Sequence, residues 1–132
     1  MDKTTLVERD FHEGELLIRE LEKAHINVHS AFWLYDSEAD RWRLIIASKM
    51  ADFASPKKAY MHIRNTLKKL EKAGRPLSLS LEYISVISPN HPIIKILGTV
   101  IKTGHDEIVG IRFSRNRIGD SYIEDAYIYR VQ

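Results

Sequence analysis

No cysteine occurs among the 132 residues of the chain. That excludes a disulfide scaffold, a thiolate zinc site, an iron–sulfur cluster and a cysteine nucleophile. Long apolar runs are missing as well. The best candidate, Ile93 to Ile101, is interrupted by Lys95 and falls far short of the ~20 residues that cross a bilayer. The N-terminal MDKTTLVERDF carries early acidic residues and no apolar core of a signal peptide, and no lipidation motif fits. A cytoplasmic protein with no membrane partner is expected. Glycine and proline are sparse, 6 and 4, and scattered singly. Phosphate-cradling and dinucleotide-binding loops are therefore excluded. The histidines at 12, 25, 29, 62, 91 and 105 form no His-Glu-x-x-His pattern, and no serine sits in a nucleophile elbow. No metal and no cofactor are expected.

What is present is ordinary globular material: 44% hydrophobic and 29% charged residues, enough to build one core over residues 1–132. Residues 1–9 read as a loose tail. Asp10 with Glu13 reads as a capping box opening a helix over Phe11–His25, whose Phe11, Leu17, Ile18, Leu21 and Ala24 fall near one face. Asn27–Asp36 and Trp42–Lys49 read as strands joined by a polar turn, too short to join parallel neighbours. Both faces of the first strand are apolar, which places it inside a sheet. Ser55-Pro56 starts a second helix that Gly74 and Pro76 stop. A strand over Leu81–Ile87 and a third, strongly apolar helix from about Pro92 to Gly104 follow. Glu107–Ser114 and Ser121–Val131, with a turn at 115–120, make a last strand pair. The order is α-β-β-α-β-α-β-β: an α+β domain with about five strands, mixed or antiparallel, and three helices. The segment strand–third helix–strand has the length of a parallel crossover.

The formal charge of +2 hides a polarised chain. Residues 56–75 hold Lys57, Lys58, Arg64, Lys68, Lys69, Lys72 and Arg75 against Glu71 alone, a total of +6, so the remainder sums to 2 − 6 = −4. A basic stripe on a rigid helix can track a phosphate backbone; it can also be a solvated face that aids solubility. Arg112, Arg115 and Arg117 form a second cluster at the last hairpin, where they can grip a phosphate or carboxylate. The strand pattern nominates Glu124 as the cross-strand partner of Arg112. Glu124 and Asp125 are also the acid–base candidates, although adjacent strand residues face opposite ways. Trp33 and Tyr35 share one face, Tyr127 and Tyr129 another with Asp125; left uncovered, these would form an aromatic interface.

With no catalytic motif, the expected protein is a small non-catalytic binding or accessory module acting on a protein partner or a second copy of itself. Two alternatives stand beside it. One is a nucleic-acid-binding protein using the helix 56–75. The other is an enzyme or sensor holding a phosphorylated or carboxylated small molecule at Arg112, Arg115 and Arg117.

Overall fold

Asp10 opens the first helix from inside it. In a computed structural model that describes residues 6–53 and 56–132, α1 spans Glu8–Lys23. Asp10 stands at the third helical position, and its Oδ2 accepts the Val7 backbone N–H at 2.9 Å. It satisfies an orphan amide without being the N-cap. Glu8 and Arg9, expected in a loose tail, are helical; residues 1–5 lie outside the described residues. At the other end His25 takes a φ of 61°. Its N–H donates to Glu22 O at 2.9 Å and that of Ile26 to Leu21 O at 3.0 Å, the paired bonds of a Schellman stop.

The five strands are β1 (Ser30–Asp36), β2 (Arg41–Ala47), β3 (Ile84–Ile87), β4 (Ile111–Ile118) and β5 (Ser121–Val131), in the sheet order β3-β2-β1-β5-β4. β1/β2, β1/β5 and β4/β5 are antiparallel; β2/β3 is parallel. The mixed sheet and the element order match the sequence. The parallel pair does not. β3 and β4 lie at opposite edges, because β3 pairs with β2 and β4 with β5. The parallel connection instead carries α3 (Pro56–Lys72), preceded by the single-turn α2 (Met50–Phe53). The sequence suggests a loop at α2, which is too short to show a helical period. The expected N-cap Ser55 lies outside the described residues. Gly74, at φ 77°, stops α3 as expected, with Arg75 N–H on Leu70 O at 2.9 Å.

Three further boundaries move. Leu81–Tyr83 is a 3-10 turn leading into β3. The third apolar helix, α4 (Pro92–Gly98), ends six residues before Gly104. The last turn shrinks to Gly119-Asp120, between Ile118 and its partner Ser121.

The sheet is covered on both sides. One face, with Ala31, Trp33, Leu44, Ile46, Ile84 and Tyr129, packs against Leu17, Ile18 and Leu21 of α1 and Ile63 of α3. The other, with Phe32, Ile45, Ala126, Ile128 and Val131, packs against Ile94 and Leu97 of α4. The two apolar faces read in β1 are thus both buried.

Under α1, Trp33 Nε1 donates to Tyr129 Oη at 3.0 Å, and Tyr129 Oη donates to Phe11 O at 2.7 Å. Burial pushes the Tyr129 phenol pKa upward, which keeps it a hydrogen-bond donor at any ordinary pH. Gly14 makes this packing possible. A Cβ there would stand 2.8 Å from Tyr129 Cζ and closer still to the hydroxyl, and a tyrosine held by two hydrogen bonds cannot yield cheaply. Gly14→Ala, which would strengthen an exposed helix, is expected to destabilise this one by about 1–3 kcal/mol through overpacking. Urea unfolding of the variant measures it.

Candidate functional site

Along α3, the buried residues Ala59, Ile63, Thr66 and Leu70 fix which side faces the sheet. At 100° per residue, Lys57, Met61, Arg64, Lys68 and Lys72 then share an outward sector about 80° wide and about 22 Å long. Lys58 and Lys69 flank it, and Arg75 follows the helix end. All seven cations are exposed. Among the described residues, none of Lys57, Arg64, Lys68, Lys69, Lys72 and Arg75 comes within ion-pair distance of a carboxylate.

Beside this stripe is an apolar slot of about 230 Å³ lined by Lys57, Tyr60, Met61, Arg64 and Leu81. Tyr60 is pinned there: its Oη accepts the Val86 backbone N–H of β3 at 3.0 Å. Met61 is 48% exposed. Helical spacing from Lys57 and Arg64 already puts Met61 in the stripe. Leu81 comes from a distant turn, and nothing in the sequence brings it near.

The hairpin cluster is arranged differently from expectation. Arg112 binds Asp125, not Glu124, through Nε–Oδ1 at 2.7 Å and Nη2–Oδ2 at 2.6 Å. The register sets Asp125 opposite Ser114 and Arg112 opposite Tyr127, so Asp125 is the diagonal neighbour on the same face. The carboxylate bond raises the already high pKa of Arg112, whose guanidinium also lies 5.4 Å from the Trp42 ring centre. Arg115 adopts a φ of 52°. At that point both strands change face: Phe113 and Ile118, five apart, and Ile123 and Ala126, three apart, pack into one cluster.

An open depression of about 470 Å³ is lined by Tyr35, Trp42, Arg112, Ser114, Arg115, Glu124, Asp125 and Leu6. Arg117 is not part of its wall; it pairs across the hairpin with Tyr122. Asp125 is committed to Arg112 through both oxygens and is not a free base. Three arginines on an edge strand, with a left-handed residue among them, also discourage edge-to-edge pairing.

The expected aromatic interface is closed at Trp33 and Tyr129. Trp33 and Tyr129 are 0% and 1% exposed, because α1 covers their face. Tyr127 is half-buried and stacks on Phe11 with ring centres 3.9 Å apart and planes at 11°. Tyr35 is half-buried, meets Trp42 edge-on at 5.6 Å, and donates its hydroxyl to Asp40, which pushes its pKa up to about 12.

The two basic clusters do not meet. α3 packs on β3 and α1, while β4 forms the opposite sheet edge. Between them lies α1, with Glu8, Asp10, Glu13, Glu15, Glu20 and Glu22 against Arg9, Arg19 and Lys23.

Two features escape a sequence reading. One is Arg130, fully buried, with Nη1 on Glu22 Oε2 at 2.8 Å and on Val28 O at 3.0 Å, and Nε on Glu107 O at 2.8 Å. Ala31 opposes Arg130 and Phe32 opposes Ile128, so the pairing skips Tyr129. This bulge lets Tyr129 and Arg130 both turn inward, against strict alternation. The other is His29, whose pKa is lowered by partial burial and then by Lys102 and Lys49. Its folded state favours the neutral ring, so the unfolded chain takes up the proton first. Its contribution is fully present above pH ~6.5 and is lost as the pH falls below it. Unfolding midpoints at pH 7.5 and 5.5 should drop more in wild type than in His29→Asn.

No group of three histidine or carboxylate side chains suited to a metal is found among the described residues, and no helix among them is long and apolar enough to cross a membrane. Comparison of the chain with protein-family models, curated proteins and solved structures gives no match.

Proposed function

We propose that the protein is a non-catalytic binding module that holds nucleic acid along α3. One observation carries this reading: Lys57, Arg64, Lys68, Lys69 and Lys72 are exposed along one helix and meet no carboxylate among the described residues. A merely solubilising surface mixes its signs. Here Arg64, Lys68 and Lys72 follow one another at i, i+4, a like-charge arrangement that destabilises a helix, and Lys57 and Lys58 stand in the first turn, where the helix dipole disfavours cations. A phosphate backbone along the stripe relieves both costs.

The other readings lose support. Of the four aromatics offered to a protein partner, Trp33 and Tyr129 are core and Tyr127 is stacked on Phe11, which leaves Tyr35 alone beside an open depression. The small-molecule reading at the hairpin loses its strongest group, since Arg112 is neutralised by Asp125, and Arg117 stands apart.

The test is a titration of labelled 20-nucleotide DNA and RNA at ~50 mM salt, with polyglutamate of equal length as comparison. Salt-sensitive nucleic-acid binding exceeding that of polyglutamate supports the proposal. Absence of binding, or equal binding of polyglutamate, overturns it.

A further inference from the structure

The apolar slot borders the basic stripe at Lys57, Met61 and Arg64, and together they favour one form of nucleic acid. Resting on the reading of α3 just given, we propose that the slot takes an unstacked base, so that the protein prefers single strands to duplex. Its walls are Tyr60, Met61 and Leu81, with Lys57 and Arg64 at its rim. The two cations are two helical turns apart, about 10 Å, on either side of Met61. A strand whose phosphates meet them presents the intervening base to the slot between. At about 230 Å³ the slot is smaller than the roughly 300–1,000 Å³ of ordinary ligand pockets, a size for one planar group and not for an extended molecule.

The chemistry of the walls suits a base. The Tyr60 ring is held by the Val86 N–H, so little freedom is lost when another ring packs beside it. Met61 supplies a polarisable, adaptable surface. Arg64 adds a planar cation of the kind that stacks on bases. A duplex keeps its bases stacked inside and offers the slot nothing, leaving only the phosphate contacts. Base packing against aromatic and apolar side chains is largely indifferent to sequence, so the preference is for strandedness and not for a motif.

Fluorescence anisotropy with oligothymidine of 20 nucleotides, and with a 20-base-pair duplex, tests this on the full chain. Single-strand affinity is expected to exceed duplex affinity by about tenfold. Met61→Gln removes apolar wall without changing charge at an exposed site. It should weaken single-strand binding several-fold and leave duplex binding unchanged, while Met61→Leu retains the preference. Lys68→Glu, outside the slot, should weaken both. Equal affinity for the two forms, or a Met61→Gln variant that binds oligothymidine like wild type, overturns the base slot while the stripe stands. If neither form binds at ~50 mM salt, the stripe itself fails and the slot with it.

Discussion

Arg130→Ala is expected to lower the unfolding free energy by about 3–5 kcal/mol, the usual loss when one partner of a buried ion pair is removed. The side chain is 0% exposed and joins three separated parts of the chain: Glu22 at the end of α1, Val28 before β1 and Glu107 before β4. Its removal strands two backbone carbonyls, each costing about 1–3 kcal/mol when buried and unsatisfied. Glu22 is 35% exposed, so it regains water and suffers less. Glu22→Gln, which keeps an acceptor for the guanidinium, should therefore cost much less than Arg130→Ala. In thermal unfolding the alanine variant should melt roughly 10–20 °C lower. A loss under ~1 kcal/mol, the level of a surface pair, would mean that Arg130 does not tie these segments together.

Reversing two charges of the stripe should have the largest effect on binding. Lys68 and Lys72 are exposed, one helical turn apart, and touch no carboxylate among the described residues. Lys68→Glu with Lys72→Glu changes the charge of residues 56–75 from +6 to +6 − 4 = +2. Phosphate contacts at both positions become repulsions, and single-strand affinity at low salt is expected to fall by about 100-fold or more. Stability should hardly change, because surface charge contributes little and the introduced carboxylates lie one turn from Arg64 and Lys69. The matched reversal of Arg115 and Arg117 at the far sheet edge should leave binding within about twofold. A greater loss there than on α3 would move the site to the hairpin.

The way the chain encodes these features explains which were visible beforehand. The basic stripe is a local property: a helix of known phase, read from Ile63, Leu67 and Leu70, fixes the outward residues without any long-range knowledge. The element order and the burial of both β1 faces follow from equally local patterns. Sheet order depends on which strands meet, and the pairing of β3 with β2 and of β5 with β1 is decided between distant segments. The Arg112–Asp125 pair turns on register, where a shift of one residue changes the partner's face. Tyr129 and Arg130 both turn inward through a bulge, and Arg115 reverses the faces of the hairpin through a left-handed backbone. Strict alternation hides both. The apolar slot needs Leu81, 17 to 24 residues along the chain from the α3 residues it meets, and tertiary packing alone supplies it.

Salt titration of oligothymidine binding decides whether α3 is a phosphate-tracking surface. With Lys57, Arg64, Lys68, Lys72 and Arg75 engaged, log K should fall against log salt with a slope of roughly −3.5, or about 0.7 for each phosphate neutralised on a single strand. The Lys68→Glu, Lys72→Glu variant should show a slope shallower by about 1.4. A slope near zero, or one unchanged in the variant, would contradict nucleic-acid binding along α3.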